Sequence, residues 1–437
     1  MPESLRQAPG DGRALKPYLV PSLSEYLDED EHAEGRLEAH ALIEDAVAVR
    51  ASDIHLDPEP HGYRIRLRID GLMVDATTLE PGLGELLANQ LKTLAGLDPM
   101  PTLTSAEGSL AWRNEDTGHL DLRVTTVPCV SGDKLAVRIL SEPDAFQDLG
   151  DLGLPGAEVE AIRQWTQTAG GVLLVTGPTG SGKTTTLYAL LHEIGQTPQQ
   201  IITLEDPVEY AVPGVNQIQI NSDQGLDFER GTQTLLRLDP DYVLVGEVRD
   251  GGSARGAMNI ANSGRSLMAT LHSRDAVGTV ASLRNMGLED FEIAPTLELV
   301  IAQRLVRRLC PHCQERRPPS DRERQWLGIA GREAPESVWA AHGCSACNNL
   351  GYHGRIGIFE VWYLDDDDAA AILDHHDDRG LRQRLFDKGQ RRLLDDGMDK
   401  AERGLTTCDE LFRAGLLSPY RNHTSPNRRL QIHHDLN

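Results

Sequence analysis

The chain has 437 residues, with 43 Lys and Arg against 67 Asp and Glu, a formal net charge of −24. That balance argues against a general nucleic-acid coat or an anionic-membrane binder, and leaves room only for a local basic channel. No apolar run reaches bilayer length and the opening MPESLRQAPGDGRALKP has no apolar centre, so no membrane span and no secretory signal are expected.

Residues 1–35 are rich in Pro, Gly and acid, the composition of a flexible lead-in. From Leu37 onward Leu42, Ile43, Ala46 and Val47 fall on one helical stripe. The segment ASDIHLDPEPHGYRIRLRIDG then turns to strand. At a period of two, Tyr63, Ile65, Leu67 and Ile69 face one side. Arg64, Arg66 and Arg68 face the other, ~7 Å apart. On one face of an acidic chain, these three guanidiniums point either to water or to an acidic patch on a neighbouring copy. A helix around Leu86–Leu94 and the alternating strands HLDLRVTTVP and KLAVRIL complete a small α+β domain over 36–141. The stretch 142–156, with its Gly, Pro and Asp, reads as a linker.

From 157 to 417 the texture changes. Short apolar runs, GGVLLVTG, QIITLEDP, DYVLVGE and SLMATLHS, alternate with polar loops and helical stretches. Buried strands alternating with helices predict an α/β domain with a parallel sheet covered on both faces. Residues 365–416 read as helices, with Asp365–Asp368 as a solvated helix start where acids suit the dipole. Residues 418–437 have the composition of a disordered tail.

The strongest motif is GPTGSGKTTT, in which Gly177, Gly182, Lys183 and Thr184 fill the pattern GxxxxGK[ST] between an apolar strand and a helix former. The loop Gly177, Pro178, Thr179, Gly180, Ser181, Gly182 brings backbone N–H groups to phosphate oxygens. The helix N-terminus at Lys183, Thr184 and Thr185 adds donors and a positive dipole end. Lys183 is placed to reach the outer phosphates of ATP and Thr184 to offer its hydroxyl to Mg²⁺. A second apolar strand ends on Glu247, a carboxylate suited to orienting water or helping to hold the metal. Glu205, Asp206 and Glu209 stand at another strand end and His272 at a fourth, the edge where ligands bind such sheets.

Six cysteines are present, and Cys310, Cys313, Cys344 and Cys347 form two CxxC pairs. In a reducing compartment this pattern means metal rather than disulfides, and four thiolates make a closed, structural Zn²⁺ site. His312 lies inside the first pair, a less suitable ligand, and Cys129 and Cys408 have no partner pattern.

These blocks together resemble the secretion and pilus-assembly ATPases of type II secretion and type IV pilus systems. ASDIHLDP and RLRIDG match the family's opening, TLEDPVEY its Asp box, LRLDPDYVLVGEVRD its Walker B region and TLHSRDA its His box. AQRLVRRLCPHC, GCSACNNLGYHGRIGIFE and GMDKAERGLTTCDEL follow in the family's order, so the likeness runs from about Leu37 to about Leu416. The resemblance implies a RecA-like P-loop ATPase domain preceded by a smaller PAS-like α+β domain, with a zinc-binding insert at 306–356. It implies a homo-hexamer with ATP held between the domains, Glu247 as the catalytic acid, Glu209 near the metal, and His272 as a γ-phosphate sensor. Arg123 and Arg138 match the arginines that approach the γ-phosphate. The zinc insert favours assembly or secretion over pilus retraction.

The sequence departs from the family at Gly252-Ser253-Ala254, where an acid precedes Thr-Ala, and at Arg265, where the family has His. MPTLTSAEGS also lacks the arginines usual in that segment. These changes bear on rate, nucleotide preference and the subunit interface, and leave Lys183, Thr184, Glu247, His272, Arg123 and Arg138 intact. The expected protein is a bacterial cytoplasmic ATPase, peripheral at the inner membrane through platform proteins, using ATP, Mg²⁺ and Zn²⁺, with no direct nucleic-acid partner. The family's usual N-terminal partner-binding domain is expected to be absent or reduced to the first 35 residues, which leaves the docking mode open. The competing readings are a RecA-like nucleic-acid motor, disfavoured by the acidic balance, and a nucleotide-dependent scaffold with little turnover.

Overall fold

The computed structural model describes residues 38–416 except 102, 115–117, 141–147, 169 and 197. The lead-in 1–35 and the tail 418–437 lie outside the described residues, as does the first part of the linker. The chain divides into two compact units. One runs to Glu142 and takes in Gly343–His353; the other runs from Pro143 to His342 and from Gly354 onward. Gly343–His353, read from the sequence as part of the insert, thus groups with the first unit.

The first unit is built on β1 (Ala51–Glu59), β2 (Gly62–Ile69), β3 (Leu72–Leu79), β4 (Ala106–Asn114), β5 (Gly118–Cys129) and β6 (Gly132–Leu140). They form a sheet in the order β3-β2-β1-β6-β5-β4, antiparallel at every pairing. Asp70 and Gly71, with φ of 47° and 82°, make the tight turn between β2 and β3. Alternation does what the sequence predicts: Ile54, Leu56, Ile65, Leu67, Val124 and Val137 share one apolar cluster. Leu42 and Ile43 of α1 (Glu38–Ala48) and Leu87 and Leu91 of α2 (Pro81–Leu94) belong to the same cluster. Each such side chain contributes roughly 1.5–3 kcal/mol when fully buried.

The other face of this sheet answers the question set by the arginines. Their acids are on the same sheet, because the β1–β2 register sets Asp57 opposite Arg64 and Asp53 opposite Arg68. Arg66 donates to Asp57 through Nε at 2.6 Å, Arg68 Nε lies 3.4 Å from Asp53, and Arg64 Nε 3.4 Å from Glu59. Burial raises the Asp57 carboxyl, and Arg66 and Lys134 together bring it below its ordinary value.

The second unit opens with α3 (Gly156–Trp165), then alternates β7 (Val172–Thr176), α4 (Lys183–Ile194), β8 (Ile201–Glu205), β9 (Asn216–Gln219), α5 (Phe228–Leu235), β10 (Tyr242–Val245), α6 (Gly251–Asn262) and β11 (Ser266–Leu271). After α7 (Val277–Asn285) and α8 (Asp290–Ile293) comes the long β12 (Leu297–Leu309). The insert holds β13 (Gln314–Arg317), α9 (Asp321–Ile329) and β14 (Val338–Ala341). β15 (Tyr352–Tyr363) then leads into α10 (Asp366–Leu373), α11 (Asp378–Asp387), α12 (Leu393–Glu402) and α13 (Cys408–Arg413).

The main sheet has the order β15-β12-β7-β11-β10-β8-β9, with β12, β7, β11, β10, β8 and β9 parallel. Separate apolar clusters cover its two faces: Val172 and Leu174 point into one, Leu173 and Val175 into the other. A sheet buried on both sides leaves only its edges for polar chemistry. The acidic run at Asp365 does start a helix, with Asp365 capping the Asp368 N–H at 2.9 Å. Asp368 itself is not solvated as expected. It is buried, accepting from Trp362 Nε1 at 3.0 Å and from Arg384 Nε at 2.9 Å.

Candidate active site at the carboxyl edge of the parallel sheet

Four neighbouring strands, β7, β11, β10 and β8, deliver the motifs side by side: the glycine-rich loop, His272, Glu247 and the Glu205–Glu209 segment. The loop's shape is set by glycine. Gly177, Gly180 and Gly182 have φ of 156°, 76° and 87°, and a Cβ on Gly177 would stand 2.5 Å from the Gln303 carbonyl oxygen. Ser181 Oγ is buried with no protein partner among the described residues. A backbone cradle that excludes side chains, an unpartnered hydroxyl and the free N–H groups opening α4 fit a polyphosphate. Lys183 donates to the loop's own carbonyls, Gly177 O at 3.1 Å and Pro178 O at 3.4 Å. Burial holds its ammonium below the ordinary lysine value, and Arg304 adds to this while Glu247 opposes it. An incoming phosphate would supply the compensating charge. Thr184 is exposed on the same turn.

Gln303, which the sequence reading passed over, braces this loop from β12. It is buried, donates through Nε2 to Ser181 O at 2.7 Å and accepts from Thr186 Oγ1 at 2.8 Å. The only signal was a glutamine inside the apolar run VIAQRLV.

Glu247 is engaged on both oxygens. His272 Nε2 lies 2.6 Å from Oε1 and Arg249 Nε 2.5 Å from Oε2. The other ring nitrogen of His272 lies 3.0 Å from the Gly177 carbonyl oxygen. One imidazole thus joins the Walker B carboxylate to the phosphate loop. Below it, Ser273 Oγ and Thr176 Oγ1 are 2.7 Å apart, pinning the His-box turn to the end of β7. Arg249, another residue the motifs did not single out, also reaches Asp206 at 3.7 Å. Glu205 is structural: buried, it accepts from Tyr188, from Thr203 at 2.5 Å and from Gln217 at 3.2 Å. Burial, then Glu205, pushes the Tyr188 phenol up. Glu209 gives its backbone N–H to Tyr188 Oη at 3.2 Å; among the described residues no hydrogen bond or ion pair joins its carboxylate to the loop.

The profile of the Type II/IV secretion system protein family matches residues 28–413. The chain belongs to that family. It is 36% identical over 395 residues to the type II secretion system protein E of Aeromonas hydrophila, covering 90% of this chain and 78% of that one. It is also 36% identical over 372 residues to the type IV pilus assembly ATPase PilB of Thermus thermophilus, covering 85% and 42%. Among solved structures, the Legionella pneumophila ATPase DotB superposes with a TM-score of 0.62 at 21% identity, over 86% of this chain and 95% of that one, a likeness of fold. The fold is therefore that of the RecA-like secretion ATPases.

In this secretion ATPase Arg123 and Arg138, the arginines expected near the γ-phosphate, lie in one cross-strand row. Arg123 is the register partner of Arg138, and Asp53 is the partner of both Arg138 and Arg68. Arg138 Nε lies 3.3 Å from Asp53 with its side chain 68% exposed. Arg68 and Arg138 thus share the one Asp53 carboxylate.

The four cysteines come together because β13 pairs with β14, Gln314 opposite Ala341, which closes the insert between the two pairs. The Sγ atoms of Cys310, Cys313, Cys344 and Cys347 all lie within 4.8 Å of one another. Zn–S bonds of about 2.3 Å in a tetrahedron put sulfurs about 3.8 Å apart. Cys344 and Cys347 Sγ are 3.8 Å apart, and the N–H groups of Cys344 and Gly351 point at Cys347 Sγ at 3.2 Å each, as around a thiolate. The donor set fits zinc. Cys408 is buried and its thiol is pushed up to about 12, chiefly by that burial.

Two of the expected departures, at Arg265 and at Gly252-Ser253, have a local setting. Arg265 sits at the entry to β11, the end away from His272, with NH2 3.2 Å from Asp239 and NH1 donating to Ser263 Oγ at 3.0 Å. Ser253 caps α6 in exchange with Asp250, its N–H donating to Asp250 Oδ1 at 2.8 Å. A Cβ on Gly252 would stand 3.0 Å from Glu229 Oε2, so an acid there would meet another acid. No helix among the described residues is long and apolar enough to cross a membrane.

Proposed function

We propose that this chain hydrolyses ATP to ADP and phosphate and that the work drives type II protein secretion or type IV pilus assembly. It acts as a homo-hexamer in the bacterial cytoplasm, docked at the inner membrane through platform proteins. The observation that carries the reading is the Glu247–His272–Gly177 chain of contacts behind the Lys183 loop. Water is the nucleophile; its attack on the γ-phosphorus breaks the bond to the β,γ-bridging oxygen, and the electron pair leaves on ADP. Glu247 orients that water and holds its proton. Charge spreading over the γ-phosphate oxygens is met by Lys183, Arg123 and Arg138. His272 reports whether the γ-phosphate is present, because it touches both the loop and the carboxylate. Thr184 would hold Mg²⁺, with Glu209 near it, and the ion would neutralise the phosphates. The Cys₄ site holds the insert together and takes no part in the chemistry.

The test is Mg²⁺-dependent ATP turnover by the purified full chain, with and without nucleic acid and membrane partners. Turnover that is stimulated by inner-membrane components and indifferent to DNA and RNA is expected. Turnover that needs nucleic acid would assign the chain to the motor class instead. Chelation should release about one zinc per chain and raise hydrogen exchange over 306–356 while ATP binding persists.

A further inference from the structure

Glu360, on β15, is 8% exposed, and each of its carboxylate oxygens accepts a backbone N–H from a different part of the chain. Ala276 N–H donates to Oε1 at 3.0 Å and Leu393 N–H to Oε2 at 3.1 Å. Ala276 is the last residue before α7 and ends the His-box turn that begins at His272. Leu393 opens α12. A second tie runs beside the first: Arg382 of α11 lies 2.9 Å from Asp275 Oδ1, the same oxygen that accepts the Gly278 N–H at 2.8 Å. The turn 272–276 is therefore gripped at one end by Glu247 and Gly177 and at the other by Glu360 and Arg382. The helices that bear Leu393 and Arg382 are packed through Leu381, Leu385, Leu394 and Met398 rather than fixed to the sheet by hydrogen bonds alone.

We propose that Glu360 is a positioning residue that sets the His-box turn, and with it the His272–Glu247 contact, according to how α11 and α12 are seated. The proposal rests on the reading of Glu247 and His272 as hydrolysis residues. A partner that shifts α11 or α12 thereby alters turnover without touching the nucleotide. Burial, then Asp275, raises the Glu360 carboxyl to about 7; the Ala276 and Leu393 N–H groups and Arg382 oppose them, and Arg392 also faces it. The ionised form accepts more strongly on both oxygens, so the clamp tightens as pH rises through this value. Its effect on stability runs the other way. A carboxyl raised above its ordinary value binds its proton more firmly when folded, so its contribution to stability falls as pH rises from the ordinary carboxylate range to about 7.

The experiment measures steady-state ATP hydrolysis by the full chain across pH 6–8 for wild type, Glu360→Gln, Arg382→Ala and Glu247→Gln. Glu360→Gln should lower kcat about tenfold, leave KM for ATP within about twofold, and abolish the rise in kcat near neutral pH. Arg382→Ala should lower kcat by about two- to threefold with KM unchanged. Wild-type kcat and an unaltered pH profile in folded Glu360→Gln would overturn the proposal. If that variant does not fold, unchanged kcat in Arg382→Ala would overturn it. Hydrolysis surviving Glu247→Gln would instead defeat the underlying assignment of the site.

Discussion

The two sheets of this protein carry their polar residues in different places. In the first unit the sheet is antiparallel and covered on one side, and its charges stand on the open face, paired across strands: Arg66 with Asp57, Arg68 and Arg138 with Asp53. In the second unit six strands of the sheet are parallel and the sheet is buried on both sides, and the motif-bearing polar groups gather where strands end. A charged face is an adjustable electrostatic surface whose members exchange partners at small cost, since exposed ion pairs contribute about 0–1 kcal/mol each. A strand edge is different. Its groups are fixed by short loops and backbone carbonyls, as Lys183 and His272 are by Gly177. Chemistry that depends on position belongs on the edge, and charge that must be presented belongs on the face.

The largest effects should come from the edge. Lys183→Ala and Glu247→Gln should each reduce ATP turnover by roughly 10³ or more, the scale of losing a group that meets charge in the transition state. Glu247→Gln should still bind ATP, measured with a fluorescent analogue, because the loop and Lys183 are untouched. Normal turnover in either variant would remove the edge from the mechanism.

Next comes the face, where the comparison can be sharpened within one row. Arg138, largely exposed and sharing its carboxylate with Arg68, has charge to spare for a phosphate, and an arginine used in this way contributes about 10³–10⁵ in rate. Arg138→Ala should therefore lower kcat by two or more orders of magnitude. Arg64, flanked by Glu59 and Asp75, should be replaceable by Ala with less than about a twofold change. Equal losses in the two variants would mean that the face acts as a whole rather than through chosen positions.

The same contrast explains what was legible in the sequence. GPTGSGKTTT, Glu247 and His272 could be read because each motif is contiguous and follows an apolar strand whose end is predictable. The alternation of β2 was equally plain, but the partners of Arg64, Arg66 and Arg68 were not. Those depend on the β1–β2 register, and a slip of one residue would turn each arginine to the buried side. Gln303 and Glu360 were hidden for another reason. Each is a single polar residue within an apolar strand, and its meaning lies in groups far away in sequence: Ser181 and Thr186 for the one, Ala276 and Leu393 for the other. The four cysteines were readable from spacing alone, because thiolates in CxxC pairs have few alternatives.

A medium effect should follow from removing the brace behind the loop. Gln303→Leu keeps the volume and loses both hydrogen bonds, leaving the Ser181 carbonyl and the Thr186 hydroxyl unpaired in a buried site, which costs about 1–3 kcal/mol for each group. The expected outcome is a KM for ATP raised about tenfold with a smaller loss in kcat, since the brace shapes the phosphate cradle and does not meet the attacking water. A drop in kcat with KM unchanged would place Gln303 with Glu247 in the chemical step instead.

The smallest effect is expected at Arg265, where the family resemblance leads one to expect His. Its guanidinium binds Asp239 and Ser263 at the entry to β11, and the six residues of that strand, rising about 3.3 Å each, separate it from His272. Its pair with Asp239 is exposed on the acid side, so the ion pair itself contributes little. Arg265→His should change kcat and KM by less than about twofold in a single-subunit context. If it instead raises turnover several-fold only when the protein is assembled, the residue acts across a subunit boundary, and the rule that position-dependent chemistry sits at the carboxyl edge must be extended to the opposite edge as well.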